Sequence, residues 1–166
     1  MDALEAIAKR YSCRQYGKQE VARELVEQVV DAGRTAATAR NVQPWEFVMV
    51  TDAGVRRRLA DVCDYGKFIA QAPVCIVVFC EDGKYYLEDG CAATENMLIA
   101  ATALGLGSCW VAGDKKAYAG LIGEMLGAPA THKLVSLVAL GYPLTESEAT
   151  PKRQLSEVAH WESYGG

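Results

Sequence analysis

Apolar and polar residues follow two patterns along the chain, one with the spacing of helices and one typical of buried strands. Apolar residues recur at helical spacing among Val21, Leu25, Val26 and Val29, which predicts a helix over residues 21–38. Further helices are predicted over residues 2–9, 52–62, 87–104 and 117–126, and strands over residues 46–51, 73–80, 108–112 and 133–140. This order of about four strands and five or six helices indicates a mixed α+β fold, with a central sheet covered by helices.

Two segments are apolar enough to lie in the protein interior, whereas the tail is mostly polar. Residues 73–80 are β-branched and nearly uncharged, as in a strand buried on both faces. Residues 87–104 are apolar almost all round, so this helix belongs in the interior. The tail after residue 141 is polar and interrupted by prolines, yet it contains Leu155, Val158, Trp161 and Tyr164. We therefore expect the tail to dock on another surface.

Length and charge narrow the class of protein. The chain has 166 residues, which fits a single domain over residues 1–166. Its net charge of -4 offers no basic excess for nucleic acid or an anionic membrane. No stretch reaches the ~18 apolar residues of a membrane span, and residues 1–5 lack the basic-then-apolar order of a signal peptide. We expect a cytoplasmic protein.

The cysteines predict neither a metal site nor a disulfide framework. Six cysteines and two histidines are present, and no two cysteines form a Cys-x-x-Cys pair. We predict free, mostly buried thiols in a reducing cytosol, and no bound metal. No Gly-x-Ser-x-Gly nucleophile motif occurs. Asp89 and Glu95 on the central helix are more simply explained by capping or ion pairing than by acid–base catalysis.

Residues 10–16 carry the first candidate chemistry. In an extended segment Arg10, Ser12, Arg14 and Tyr16 point to one side. Two guanidinium forks and a hydroxyl on one side suit phosphate oxygens. Two arginines four residues apart are common, however, so this motif taken alone is better explained by a solvated basic loop.

Two further stretches could contact a flat ligand. Asn41 and Gln43 offer the paired donors and acceptors that recognise the edge of a heterocycle, although an ordinary polar turn has the same composition. Residues 105–113 contain glycines that follow a helix and precede a strand, the reverse of a dinucleotide-binding fingerprint. At Gly113 the backbone could approach a ligand closely, and Asp114 is expected to cap the next helix.

The motifs resemble the FMN-binding nitroreductase family when they are taken in order. The resemblance runs from Arg10 through Pro44-Trp45, Ala72-Pro73 and Gly105-Leu106-Gly107 to Gly141-Tyr142-Pro143 and the segment 157–161. It implies a central, mainly antiparallel sheet of about four to five strands flanked by helices. It also implies an intertwined homodimer with FMN at the subunit interface, with residues 142–166 docking on the partner. The chain is short for the family and lacks insertions that commonly cover the active site.

The resemblance assigns residues to the FMN phosphate and to the flavin ring. Arg10, Ser12 and Lys152 match phosphate contacts. A further tail cation of the family falls near the uncharged Thr150, so either Arg153 compensates or the phosphate has one contact fewer. On the ring, Arg14 matches the basic residue near the pyrimidine edge, and Ala112 and Gly113 match the loop near N5. Thr38 and Asn41 match the stretch lent by the other subunit. The remaining residues assigned to the cofactor are Tyr11, Gln43, Lys67 and Trp110.

The resemblance also implies the reaction. NADH or NADPH would deliver a hydride to flavin N5 and leave, and a nitroaromatic, quinone or flavin would then take the electrons in a ping-pong cycle. The flavin carries this chemistry, and Arg14 would stabilise the negative charge at N1/O2 of the reduced ring. Another reaction on the same fold, such as dehydrogenation, alkene reduction or dehalogenation, stays open, as do a non-catalytic flavin-binding module and a cofactor-free interaction domain.

Overall fold

The computed structural model describes residues 1–145 and 147–165, and within them the chain forms five α-helices around one sheet. The helices are α1 (Ala3–Lys9), α2 (Arg23–Arg34), α3 (Ala53–Val62), α4 (Tyr86–Ala103) and α5 (Ala119–Leu126). The strands are β1 (Trp45–Val50), β2 (Val74–Glu81), β3 (Gly107–Ala112) and β4 (His132–Gly141). Short 3-10 turns occupy Ala39–Asn41, Lys67–Ala70 and Leu155–Glu157.

The four strands form one antiparallel sheet in the order β1-β2-β4-β3. Side chains alternate between its two faces, so the buried strand β2 supplies both hydrophobic cores. One core places Val77 and Phe79 against α3 and α5, and the other places Ile76 and Val78 against α2 and α4. The predicted mixed fold with a central, mainly antiparallel sheet flanked by helices is confirmed.

Helix α4 lies in the interior, as its composition predicts. The helix packs closely on its neighbours because two contact positions, Gly90 and Gly33, lack side chains. A Cβ on Gly90 would lie 2.7 Å from Val135 Cγ2, and one on Gly33 of α2 would lie 2.8 Å from Met97 Cγ. The buried stripe passes through Ala93, Met97 and Ala101, and Ala92, Asn96 and Ala100 are half-buried beside it. Close helix packing therefore depends on small residues from both partners.

Two local predictions are corrected by the structure. Helix α2 ends at Arg34 rather than at residue 38, because Thr38 is extended and its hydroxyl is bonded to Asp89 instead of extending the helix. Asp114 does not cap α5, since that helix begins with Tyr118 as its N-cap. Asp114 instead accepts a 2.5 Å hydrogen bond from the Tyr86 hydroxyl, which raises the pKa of Tyr86 to about 12. By contrast, the prediction that Asp52 caps α3 is confirmed, because its side chain accepts a hydrogen bond from Val55 N–H.

The tail does not pack its apolar residues on its own chain. Leu155 is 76% exposed, Val158 51%, Trp161 82% and Tyr164 96%. Glu146 and Gly166, which the predicted tail also includes, lie outside the described residues. Within the described part of the chain, no helix is long and apolar enough to cross a membrane.

Candidate functional site

A cleft of about 610 Å³ opens beside the outer strand β3. It is lined by β3 itself, by Arg14, by residues 64–68 and by the loop that follows β3. Four of the residues predicted to contact a cofactor line it, namely Arg14, Lys67, Trp110 and Ala112. Aromatic groups from two other loops complete its walls, namely Tyr65, Phe68 and Tyr118. Flat aromatic walls combined with cations suit a planar ligand that carries negative charge.

The segment before the cleft is held against β3 by its backbone. Ser12 forms a parallel bridge with Ser108, and Cys13 N–H donates to Ser108 C=O over 2.9 Å. Cys13 is buried, so Ser12 and Arg14 point outward as the alternation predicts. Tyr16 is the exception, because its side chain is buried and its hydroxyl donates to Cys13 C=O over 2.6 Å. The predicted alternation therefore ends before Tyr16, and burial raises the pKa of that phenol.

The two arginines of this segment have different surroundings. Arg10 is half-buried, and its Nε lies 3.6 Å from a Glu95 carboxylate oxygen on α4. Arg14 is exposed, donates from Nη1 to Ser12 C=O over 3.3 Å, and sits 5.9 Å from the centroid of the Phe68 ring. Arg14 thus borders the cleft directly, whereas Arg10 is paired beside it. Glu95 therefore takes part in an ion pair, one of the two structural roles predicted for it.

The peptide that joins Ala112 to Gly113 is fixed by the protein on both sides. Tyr118 donates from its hydroxyl to Ala112 C=O over 2.6 Å, and Gly113 N–H donates to Val135 C=O over 3.1 Å. A Cβ on Gly113 would lie 2.6 Å from Leu134 Cγ, so packing alone already requires glycine there. Burial raises the pKa of Tyr118 to about 12, which keeps its hydroxyl a donor. An approach of this backbone to a ligand stays a prediction.

Lysines from two loops complete the cleft. Lys67 Nζ donates to the carbonyls of Ala60 and Asp61, over 3.1 and 2.8 Å, and so caps the last turn of α3. Lys116 Nζ lies 3.8 Å from the Asp64 carboxylate. The sequence analysis missed Asp64, Lys116 and Tyr118, which lie in loops or begin a helix and show no motif of their own.

The predicted residues before β1 lie elsewhere. Among the described residues that line the cleft, none comes from residues 38–43. Asp89, at the start of α4 and only 6% exposed, accepts hydrogen bonds from the Thr38 hydroxyl (2.9 Å) and from Ala39 N–H (3.0 Å). Gln43 N–H donates in turn to the Thr38 hydroxyl oxygen. These bonds hold a loop in which Arg40, Asn41 and Gln43 all have positive φ, a conformation that costs free energy for residues other than glycine.

The other predicted cofactor contacts are also away from the cleft. Lys152 and Arg153 are exposed in the tail, and Arg153 donates from Nη2 to Glu157 C=O over 2.6 Å. Tyr11 is half-buried and packs on the core beneath β3. The single chain therefore unites part of the predicted site around β3 and leaves the loop 38–43 and the tail outside it.

The six cysteines are free thiols. All six cysteines are unpaired thiols, five of them buried, and burial raises the pKa of Cys63 to about 11 and that of Cys80 to about 12. In residues 1–145 and 147–165, no group of three potential metal ligands comes together.

Comparison with known proteins gives a consistent result. The sequence model of the Nitroreductase family matches residues 7–64 and 63–142. A protein of Archaeoglobus fulgidus, whose name assigns it to the NADH dehydrogenase/NAD(P)H nitroreductases, is 33% identical over 155 residues, which cover 89% of this chain and 88% of that protein. A solved structure from Bacteroides thetaiotaomicron with the same name superimposes with a TM-score of 0.93 at 29% identity, covering 98% of each chain. The FMN-dependent Nitroreductase of Clostridium difficile has a TM-score of 0.91 at 25% identity, covering 97% of this chain and 99% of that one.

Proposed function

The chain belongs to the nitroreductase family of FMN-dependent NAD(P)H oxidoreductases, and from this premise we propose that it reduces nitroaromatics, quinones or related acceptors in a ping-pong cycle. The observation that carries this proposal is the cleft beside β3. It brings a guanidinium and a lysine to a flat, partly aromatic wall. This arrangement fits a planar ring that gains negative charge when it is reduced.

The chain's own residues then have distinct tasks around the cofactor. When bound, FMN supplies the redox chemistry, since N5 of its ring takes up and returns a hydride. Arg14 would face the pyrimidine edge, while Trp110 and Ala112 would support one face of the ring. Arg10 and Ser12 precede Arg14 in the same segment and would hold the phosphate. Lys152 and Arg153 of the tail would contact the phosphate as well. Tyr118 donates a hydrogen bond to the Ala112 carbonyl and so would help to hold this part of the cleft wall.

An absorption spectrum before and after anaerobic addition of NADH or NADPH tests this proposal. We expect flavin bands near ~370 and ~450 nm that bleach with one of the two nucleotides, as for any nicotinamide-reducible flavin. Subsequent addition of menadione should restore the bands. A protein that stays colourless after addition of FMN would refute the cofactor assignment, and bands that bleach with neither nucleotide would refute the reductase activity.

We further propose that the chain forms one domain that works as a homodimer in the cytoplasm. Its exposed tail residues Leu155 and Trp161 would dock on the partner subunit, and each subunit would lend its loop 38–43 to the partner's flavin. The exposure of these apolar groups in the single chain supports the docking. Six free thiols without a disulfide support a reducing compartment.

The double variant Leu155→Asp/Trp161→Asp is expected to weaken the dimer by at least about 100-fold. Burial of two large apolar side chains contributes roughly 3 kcal/mol or more, and two carboxylates would have to be desolvated instead. Analytical ultracentrifugation across a concentration series measures the dissociation constant. Ser156→Asp/Ser163→Asp adds the same charges to exposed tail positions without removing apolar surface, and should leave the dimer nearly unchanged. Equal weakening by both double variants would contradict the docking of Leu155 and Trp161.

A further inference from the structure

One cation of the cleft has no task in the site as proposed. Lys116 lies in the loop between β3 and α5 and lines the cleft with its side chain one-third exposed. Lys67 donates to the carbonyls of α3, and Arg14 is placed at the flavin ring by the proposed function. Lys116 is paired with Asp64, but at 3.8 Å the pair is longer than a good hydrogen bond.

The charge around the cleft is opposite to that of the whole protein. Arg14, Lys67 and Lys116 line it, against the single carboxylate of Asp64, whereas the chain carries a net charge of -4. A cleft with low-dielectric walls concentrates such a local field. An anionic ligand is therefore attracted to this place on a protein that otherwise repels it.

We propose that Lys116 selects the electron acceptor, and that the cleft favours planar aromatic acceptors that carry a carboxylate or sulfonate. This inference rests on the proposed function, because it concerns the ligand that enters the cleft after the flavin has been reduced. In the structure the Asp64 carboxylate is the charged partner of the Lys116 ammonium group. The acid group of an acceptor would displace Asp64 and pair with Lys116 in a less exposed setting, where the attraction between charges is stronger.

Binding of an aromatic acid and its neutral amide tests the proposal without any turnover. We would titrate the oxidised, FMN-loaded protein with 2-naphthoate and with 2-naphthamide, following the flavin absorbance. The wild-type protein should bind the acid more tightly than the amide. Lys116→Met should weaken binding of the acid by about 5- to 10-fold, the size of a partly screened ion pair, and leave the amide within about twofold. Asp64→Asn should tighten binding of the acid, because it removes the competing carboxylate.

The neighbouring lysine provides a matched control. Lys115 is 82% exposed and does not line the cleft, so Lys115→Met removes the same charge and should leave both dissociation constants unchanged. Equal losses for acid and amide in Lys116→Met would mean that Lys116 only shapes the cleft, and would overturn the proposal. So would a wild-type protein without preference for the acid. If the flavin bleaches with NAD(P)H but the protein shows no preference for the acid, only the role of Lys116 is refuted. If the protein binds no FMN, the proposed function is refuted as well.

Discussion

Replacing Arg14 by alanine is expected to lower the reduction potential of the bound flavin by about 30 mV or more, which corresponds to about 1.4 kcal/mol for a two-electron couple. The ring gains negative charge on reduction, and a guanidinium nearby stabilises that state more than the neutral one. Arg14 is suited to this role because it borders the cleft and is held by Ser12 C=O and the Phe68 ring rather than by a carboxylate. Its exposure to solvent keeps the effect well below that of a buried charge.

Equilibration with a reference dye under anaerobic conditions measures this potential. Arg14→Lys should retain part of the effect, because it keeps the charge but loses the planar fork. Arg34→Ala removes another exposed guanidinium, which is paired with Asp31 on α2, and should leave the potential unchanged. If the potential of Arg14→Ala with FMN bound equals that of the wild type, Arg14 does not stabilise the reduced ring.

Asp89→Ala is expected to reduce the free energy of unfolding by about 3 kcal/mol and to weaken FMN binding. The variant leaves the Thr38 hydroxyl and Ala39 N–H without their acceptor at a site that is only 6% exposed, and a buried unsatisfied donor costs roughly 1–3 kcal/mol. The loop 38–43 would also lose the bonds that hold its left-handed residues. Since we propose that this loop reaches the partner's flavin, the cofactor should dissociate more readily.

Urea unfolding and FMN titration of the apoprotein measure the two effects separately. Glu88→Ala changes an exposed carboxylate in the same turn of α4, and should change the stability by less than about 0.5 kcal/mol. Asp89→Asn keeps one acceptor oxygen and should give an intermediate loss. Destabilisation without any change in FMN affinity would separate Asp89 from the cofactor and leave it a purely structural role.

The sequence predicts those elements whose cause is local. Asp52 caps α3 with its own side chain, and the uncharged run of β2 could only be buried, so both were predictable from neighbouring residues. The end of α2 was not, because Thr38 leaves helical geometry to reach Asp89, 51 positions later. Tyr16 likewise breaks the alternation of its segment because its hydroxyl also donates to Ala139 C=O on β4.

The candidate site divides in the same way. Arg14, Trp110 and Ala112 stand in recognisable stretches of sequence, and the structure brings them to one cleft. Asp64 joins them because the loop after α3 folds towards β3, and Lys116 and Tyr118 follow β3 directly. A charged loop residue has no pattern that distinguishes it from an ordinary solvated one. Residues 38–43 and the tail do not line the cleft in the single chain, and we propose that their contacts with the flavin need a second subunit.

The attachment of Ser12 and Cys13 to β3 has a consequence for the behaviour of the protein in solution. β3 is an outer strand of the sheet, and these residues occupy part of its free edge. An outer strand with unpaired backbone groups invites pairing with another molecule and so promotes aggregation. The segment that carries Arg14 at the cleft therefore also covers part of the sheet edge against pairing with other molecules. Deleting it to obtain a cofactor-free enzyme would instead yield a chain prone to precipitate.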